Sequence, residues 1–499
     1  MASVIGIDLG TSFSAVAIID ETGRPKIVPN KDDAALTPSC VVERPDGTME
    51  VGEFARREWG NAPETAAARF KRDMGTSATF SIFGRLFTPT QLSTFVLKKL
   101  VLDASKRLGP IKEAVITIPA NFAHEAREAT IAAAKAAGLN VKYIINEPTA
   151  AALCYAFKYG REFDGIFAVY DLGGGTFDIS ILRAKGQNID VIASNGIAKL
   201  GGDDFDTALQ RLVQHKFKSL TGKGLSSDDF TKNAAEDEKK SLSSRKQITV
   251  RVGRQLIDVT RVEFEEAISS LVTQTEMLCE ATLDEAKIGP ADVRAVLLAG
   301  GSTRIPMIQE SVERVFHQTP IFTENVDEVV ALGAALYSAY KTDRASLSAA
   351  QRSAVARMKV SESTGKCFGT LTANFDQIRN QRLVRNSILI QKGSKIPCSV
   401  TESFYTIFEG QTGVECQVTE CTAPETDPRF VKVIWRGALP LPPGRPANQE
   451  IKVTFSYDEN QVMKCSFVDV GTGRKSEVDL SMTSARAAET SEIDKFLVE

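Results

Sequence analysis

At 499 residues the chain exceeds what one hydrophobic core organises, so two to four structural units are expected. Its 43% hydrophobic and 25% charged residues are ordinary for a globular protein, and a net charge of −3 with no lobe-wide basic excess argues against nucleic acid as the main partner. Eight cysteines without a CxxC pair, and three scattered histidines (His124, His215, His317), exclude a disulfide scaffold and a histidine metal motif. No apolar run reaches membrane-spanning length and no secretory signal is found, so a cytoplasmic protein with no membrane partner is expected.

In chain order, residues 1–50 alternate apolar runs with turns such as Pro45-Asp46-Gly47, the pattern of strands and hairpins. Helical spacing covers 90–108 and 123–138, with a proline-stopped strand from Ala114 to Ile118 between them. A strand at 166–170 precedes helices at 206–220, 231–244, 262–286 and 304–316. Val293 to Leu298 is a strand running into Ala299-Gly300-Gly301-Ser302. This alternation reads as layered α/β architecture. Residues 343–362 have a helix-then-linker composition, and from 363 to 482 short strands separated by turns read as an all-β sandwich.

Two segments share one plan. Ile5 to Thr11 and Val169 to Thr176 each run an apolar strand into an aspartate, a glycine turn and a threonine. Repetition at that separation predicts two related lobes facing each other. Gly10, Thr11 and Ser12 on one side, and Gly173, Gly174, Gly175 and Thr176 on the other, offer backbone N–H groups to phosphates. Asp8 and Asp171, with Glu147 after a strand-like run, suit a Mg²⁺ ion held largely through waters. The plainer reading is that the two aspartates cap turns. No GxxxxGK[ST] exists, so a P-loop is excluded. Glu236, Lys239, Lys240 and Ser243 are spaced i, i+3, i+4, i+7 and so share one helix face, either as an adenosine contact or as a salt-bridged surface.

Five motifs in order resemble the heat-shock protein 70 (DnaK-type) chaperone family. They are Ile7-Asp8-Leu9-Gly10-Thr11, Asn146-Glu147-Pro148-Thr149-Ala150-Ala151, Asp171 to Asp178, Leu200-Gly201-Gly202-Asp203-Asp204-Phe205-Asp206 and Gly300 to Pro306. The resemblance implies an actin-like (ribonuclease H-like, two-lobed) ATPase domain over 1–342, a linker over 343–362 and a β-sandwich peptide-binding domain over 363–482. Residues 483–499 would begin a truncated helical lid. It implies ATP/ADP and Mg²⁺ as cofactors, with K⁺ an optional second ion. Unfolded peptide clients, a J-domain co-chaperone and a nucleotide exchange factor are the implied partners.

Residue by residue, Lys71 matches the lysine that orients the attacking water, although a lysine between Phe70 and Arg72 also fits a solvated face. Glu147, Asp171, Thr176 and Asp178 match positions around the γ-phosphate and water, Asp178 as a weak base. Gly201, Gly202, Gly300, Gly301, Ser302, Arg304 and Asp327 would complete the nucleotide site, with Arg304 stacked on adenine. Pro119 and Arg127 match positions that couple the domains; alone they read as a strand-ending proline and a surface arginine. Thr370, Thr372, Ala373, Phe404, Thr406, Ile407, Val414 and Cys416 match the peptide cleft, where alternate strand residues equally read as core.

Three departures stand out. The linker stretch from Arg357 to Glu362 is polar where the family has leucines, which reduces the apolar burial available for docking. Asn374 to Asn386 looks inserted and carries Arg379, Arg382 and Arg385. Ala373 replaces a bulky arch. Three functions follow for test: an ATP-hydrolysing chaperone, an ATP-binding regulatory or scaffolding member with weak peptide grip, and a sugar or glycerol kinase of the same superfamily.

Overall fold

A computed structural model describes residues 4–226, 229–321, 325–376, 381–458, 462–480 and 493–499. It divides into two units, Met1–Val360 with Arg486–Glu499, and Ser361–Ala485.

The first unit is built on two sheets with matching strand–turn–strand beginnings. In one, Val4–Asp8 pairs parallel to Glu113–Ile118 and antiparallel to Phe13–Ile19, with Asn140–Asn146 and Pro25–Val28 outside them. In the other, Asp164–Leu172 pairs parallel to Val293–Ala299 and antiparallel to Phe177–Lys185, followed by Asn188–Ile197 and Lys359–Ser361. Asp8 ends its strand and Asp171 stands one residue from the end of its own, each just before a glycine turn. The strand cores are near-continuous apolar runs, as expected where both faces are covered: Ile5 and Ile7, and Ala168, Val169 and Tyr170, are buried.

Two helices, Glu147–Tyr159 and Val329–Lys341, share one apolar cluster with residues of both sheets, among them Ala17, Val115, Val169 and Leu297. Backbone approach sets their packing. A Cβ on Gly333 would fall 1.7 Å from the Ala150 carbonyl, and one on Gly6 would fall 2.3 Å from the Ala335 nitrogen. Only glycine permits either contact. Neither helix was expected from the sequence. Both are buried on nearly every side, so they lack the one-sided apolar stripe that marks a surface helix.

Residues 343–362 begin with helical turns, as their composition suggested. Arg344–Ser346 is a 3₁₀ turn and Ala349–Val355 a helix, and Val355 and Met358 are buried in the shared cluster. The Lys359 N–H donates to the Gln187 carbonyl at 3.3 Å. The polar stretch is therefore held by backbone pairing at a sheet edge, which needs no leucine run.

Residues 493–499 return to the first unit. Ile493–Lys495 is a 3₁₀ turn, Val498 bridges Met49 in parallel, and the Met49 N–H donates to the Leu497 carbonyl at 2.8 Å. Phe496 packs edge-on to Phe95 at 5.5 Å and to Phe87 at 6.0 Å. This segment was expected to start a helix; residues 483–492 of it lie outside the described residues.

The second unit is a sandwich of two four-stranded sheets. One runs Gln381–Ile390, Cys367–Asp376, Gly413–Cys421, Lys432–Pro440; the other runs Cys398–Tyr405, Glu450–Tyr457, Met463–Asp469, Lys475–Asp479. Alternate residues of both, such as Val418, Leu439, Val453, Phe455 and Phe467, fill one core. In the segment that looked inserted, the described residues either side of 377–380 pair antiparallel, Asn374 with Leu383 and Asp376 with Gln381. Arg379 lies outside the described residues.

Candidate active site

The glycine turns of the two sheets meet. A Cβ on Gly174 would lie 2.2 Å from Ser12 Oγ, and one on Gly175 would lie 2.6 Å from Thr11 Oγ1. Each turn is pinned from behind. Gly10 donates its N–H to Ser14 Oγ at 3.1 Å, and Ser39 donates to the Gly10 carbonyl at 2.8 Å. The Gly173 carbonyl accepts from Ser302 Oγ at 2.9 Å and from the Gly202 N–H at 3.0 Å.

Beside the turns opens a cavity of about 420 Å³, a size that suits a small-molecule ligand. Most residues named from the sequence line it: Asp8, Gly10, Thr11, Ser12, Lys71, Glu147, Asp171, Gly173, Gly174, Thr176, Gly202, Glu236, Lys239, Lys240, Ser243, Gly300, Gly301, Ser302, Arg304 and Asp327. Gly175 and Gly201 support the turns from outside the lining; a Cβ on Gly201 would meet the Gly174 backbone at 2.7 Å.

Carboxylates crowd the floor. Burial, then the nearby Glu147 charge, pushes Asp8 up to about 7, against the pull of Lys71 and a 3.1 Å hydrogen bond from Thr117. Burial with Glu147, Asp178 and Asp8 raises Asp171 well above the usual range. Asp178 sits opposite Asp171 across the hairpin and is held at about 8, chiefly by burial. Its Oδ1 is buried with no hydrogen-bond partner among the described residues. Such mutual repulsion is what a cation would relieve. Among the described residues, no three acidic, cysteine or histidine side chains converge to ligate one ion directly. The neighbouring carboxylates of Asp8, Glu147 and Asp171 are the oxygen donors that a hard cation such as Mg²⁺ takes.

Lys71 lies in a 3₁₀ turn, Phe70–Asp73, entered through Arg69 at φ 62°. It is buried, donates to Glu147 Oε1 at 2.6 Å and lies 5.7 Å from the centre of the Phe122 ring. The solvated-face reading of this stretch is overturned. Arg72 pairs with Asp203 at 2.6 Å and Asp204 at 2.9 Å, while Arg69 pairs with Asp203 and with Asp206 at 3.3 Å. Sequence reasoning missed Arg69, Arg72, Asp203 and Asp206 as a group. The acidic Asp203-Asp204-Phe205-Asp206 run opposite a basic triplet was the signal available.

The helix Lys232–Ser244 presents Glu236, Lys239, Lys240 and Ser243 to the cavity on one face. Lys239 bonds to the Gly202 carbonyl at 2.8 Å and to Asp206 at 2.6 Å; Lys240 bonds to Glu236 at 2.7 Å. Burial of Glu236 opposes its ionisation, but Lys240, Lys239 and Arg56 outweigh it and hold it at about 2. On the facing wall Arg304 is paired to Asp327 at 2.9 Å.

Arg127 is not a surface arginine. It is buried and donates to the Ala120 and Phe122 carbonyls, each at 3.1 Å. That fixes the loop after Pro119, whose Asn121 and Ala120 backbone N–H groups bond to Asp178.

The cleft residues divide. Cys416 is 1% exposed in the sandwich core, on the strand face it shares with Val414 and Val418. Thr370 and Thr406 are also buried, and Phe404 packs against the core. Thr372 and Ala373 are half-buried, and Ile407 is exposed, as are Tyr405 and Phe408. Cys416 thus contributes to the sandwich core, with Val414 and Phe404 partly buried against it.

No helix among the described residues is long and apolar enough to cross a membrane. The family model described as "Hsp70 protein" matches residues 4–82 and 76–499 of the chain.

Proposed function

The chain belongs to the Hsp70 protein family, and from that premise we propose an ATP-hydrolysing chaperone whose nucleotide state governs binding of extended polypeptide. The observation that carries this is the meeting of two glycine turns, each following a strand-end aspartate, beside the buried Lys71–Glu147 pair. Two sheets with this shared plan support the actin-like, two-lobed reading of residues 1–342.

The phosphates would sit between Gly10–Ser12 and Gly173–Thr176; the Gly10 and Gly173 N–H groups are spent on pinning the turns, which leaves those of residues such as Thr11, Ser12, Gly174 and Gly175 as the fixed dipoles. Asp8, Glu147 and Asp171 would hold Mg²⁺ through water, and the ion would supply charge neutralisation for phosphoryl transfer. Lys71 orients the attacking water at the γ-phosphate, and its proximity to Glu147 holds the ammonium in place. Thr176 steadies the terminal phosphate, and Asp178 accepts a proton from the water when ionised. The Lys232–Ser244 face and Ser302, Arg304 and Asp327 hold the adenosine from opposite walls. Exposed Tyr405, Ile407 and Phe408 supply apolar contact for a peptide on the sandwich, with a J-domain protein and an exchange factor acting on the cycle.

The test is single-turnover ATP hydrolysis with and without unfolded peptide. ATP turnover that peptide accelerates supports the reading; binding of ATP with no turnover rejects the catalytic part. A second reading, a scaffolding member with weak peptide grip, draws on the burial of Thr370, Thr406 and Cys416. Fluorescence anisotropy with unfolded peptides separates the two, since saturable binding that weakens with ATP defeats the scaffold.

A further inference from the structure

Two of the eight cysteines face each other. Cys367 opens the strand Cys367–Asp376 and Cys421 closes the strand Gly413–Cys421, and the antiparallel register sets them directly opposite. Opposed residues in such a pair have Cα atoms about 4.5 or 5.5 Å apart. A disulfide needs roughly 4.4 to 6.8 Å, with both Cβ atoms on one face, which opposed positions provide. All eight cysteines are free thiols here.

The surroundings suit sulfur chemistry. The Lys392 N–H donates to Cys367 Sγ at 3.3 Å, and Asn386 Nδ2 approaches Cys421 Sγ at 3.9 Å. Lys366 lies alongside, its Nζ 3.4 Å from Thr422 Oγ1. Cys367 is 0% exposed, and burial raises its thiol. Cys421 is 8% exposed and is followed by exposed Thr422, Ala423 and Pro424, so solvent reaches it first.

Position gives the pair its leverage. The strand Cys367–Asp376 is paired to its hairpin partner from Phe368 to Asp376. To Gly413–Cys421 it is paired only at Cys367–Cys421, Phe368–Glu420 and Gly369–Thr419. The sheet's shortest junction therefore ends in the cysteine pair.

We propose that Cys367 and Cys421 form a reversible disulfide that pins this junction of the β-sandwich, with a small peroxide as oxidant. The Cys421 thiolate attacks hydrogen peroxide, taking one oxygen as the sulfenic acid and releasing hydroxide, which takes up a proton to leave as water. The Cys367 thiol loses its proton and displaces the sulfenic oxygen as a second water, and the S–S bond forms. Two thiols and one peroxide give one disulfide and two waters. An external thiol reverses the link by exchange. The link closes a long loop of the unfolded chain and so stabilises the sandwich.

The test uses the full chain, treated with hydrogen peroxide under native conditions, alkylated, digested and read by mass spectrometry. The expected product is a peptide joining Cys367 to Cys421, two hydrogens lighter than its reduced parts and lost on adding dithiothreitol. The oxidised chain should melt its sandwich several degrees higher than the reduced one. C421S and C367S should each abolish the joined peptide. Linkage of Cys421 to another cysteine, over-oxidation of Cys421 with no link, or full alkylation of both thiols after peroxide would each overturn the proposal. The wild-type map decides the matter even where a variant fails to fold.

Discussion

Lys71 Nζ donates to Glu147 Oε1 at 2.6 Å, and both side chains are buried beneath the two facing glycine turns. Removing one member of such a pair leaves the other charged and unpartnered. Lys71→Ala is expected to cost about 3 kcal/mol in urea unfolding of the nucleotide-free protein. Single-turnover hydrolysis should fall about 100-fold, with ATP affinity changed far less. Adding Glu147→Ala should return part of the lost stability and none of the activity; unchanged hydrolysis in Lys71→Ala alone would reject the assigned role.

Arg127 acts at one remove from the site. Its guanidinium holds two carbonyls of the loop that sends N–H groups to Asp178. Arg127→Ala should destabilise the chain by about 2 kcal/mol, because buried acceptors lose a charged donor. It should slow hydrolysis while leaving nucleotide binding near wild type. Arg127→Lys, which offers a single donor group in place of the fork, should fall between the two.

Glu236 gives the acid limb of the stability profile its sign. Its carboxyl is held at about 2 in the folded chain against a usual 4.5. The folded protein therefore keeps this group ionised where the unfolded chain takes up a proton. The stabilisation is fully present above about pH 4.5 and is lost as pH falls through about 2, on the order of 3 kcal/mol in all. Glu236→Gln should flatten that part of the curve, measured by urea unfolding across pH 2 to 6. A variant whose curve parallels the wild type would exclude Glu236 as the source.

Phe496 packs edge-on against Phe87 and Phe95 and sits under Arg85, whose guanidinium carbon is 4.6 Å from the ring centre. Phe496→Ala should cost about 2 kcal/mol, less than a fully buried phenylalanine because this one is half-buried. Hydrogen exchange at Met49 and Val51, whose N–H groups donate to the Leu497 and Glu499 carbonyls, should speed up in the variant. Unaltered exchange there would mean that the tail contributes nothing to this edge.

The sequence revealed the site more fully than the fold. Asp8 and Asp171 were legible because the motif is short-range: strand, carboxylate and glycine turn lie within eight residues. The face of Glu236, Lys239, Lys240 and Ser243 was legible from helical spacing alone. What lay hidden depends on long-range contact. Glu147–Tyr159 and Val329–Lys341 are buried on nearly every side, so no one-sided periodicity marks them, and the glycines that seat them meet partners far along the chain. Arg69 and Arg72 read as a solvated basic patch until the fold brings Asp203, Asp204 and Asp206 to them, more than 130 residues away. Cys416 was open to two readings in the sequence, cleft lining or core, and its burial beside Val418 depends on the facing sheet, which strand parity alone does not reveal.

The bridge between Met49 and Val498 sets a timetable for synthesis. A ribosome adding about 5–20 residues per second takes roughly 20 to 90 seconds to travel from one partner to the other. Until residues 493–499 are made, the Met49–Val51 edge and the Phe87 and Phe95 rings lack these partners, even after the rest of the unit up to Val360 has been synthesised. The nascent chain thus carries an open strand edge next to exposed aromatic rings until residues 493–499 emerge, and it is in that window that it most needs shielding from its neighbours.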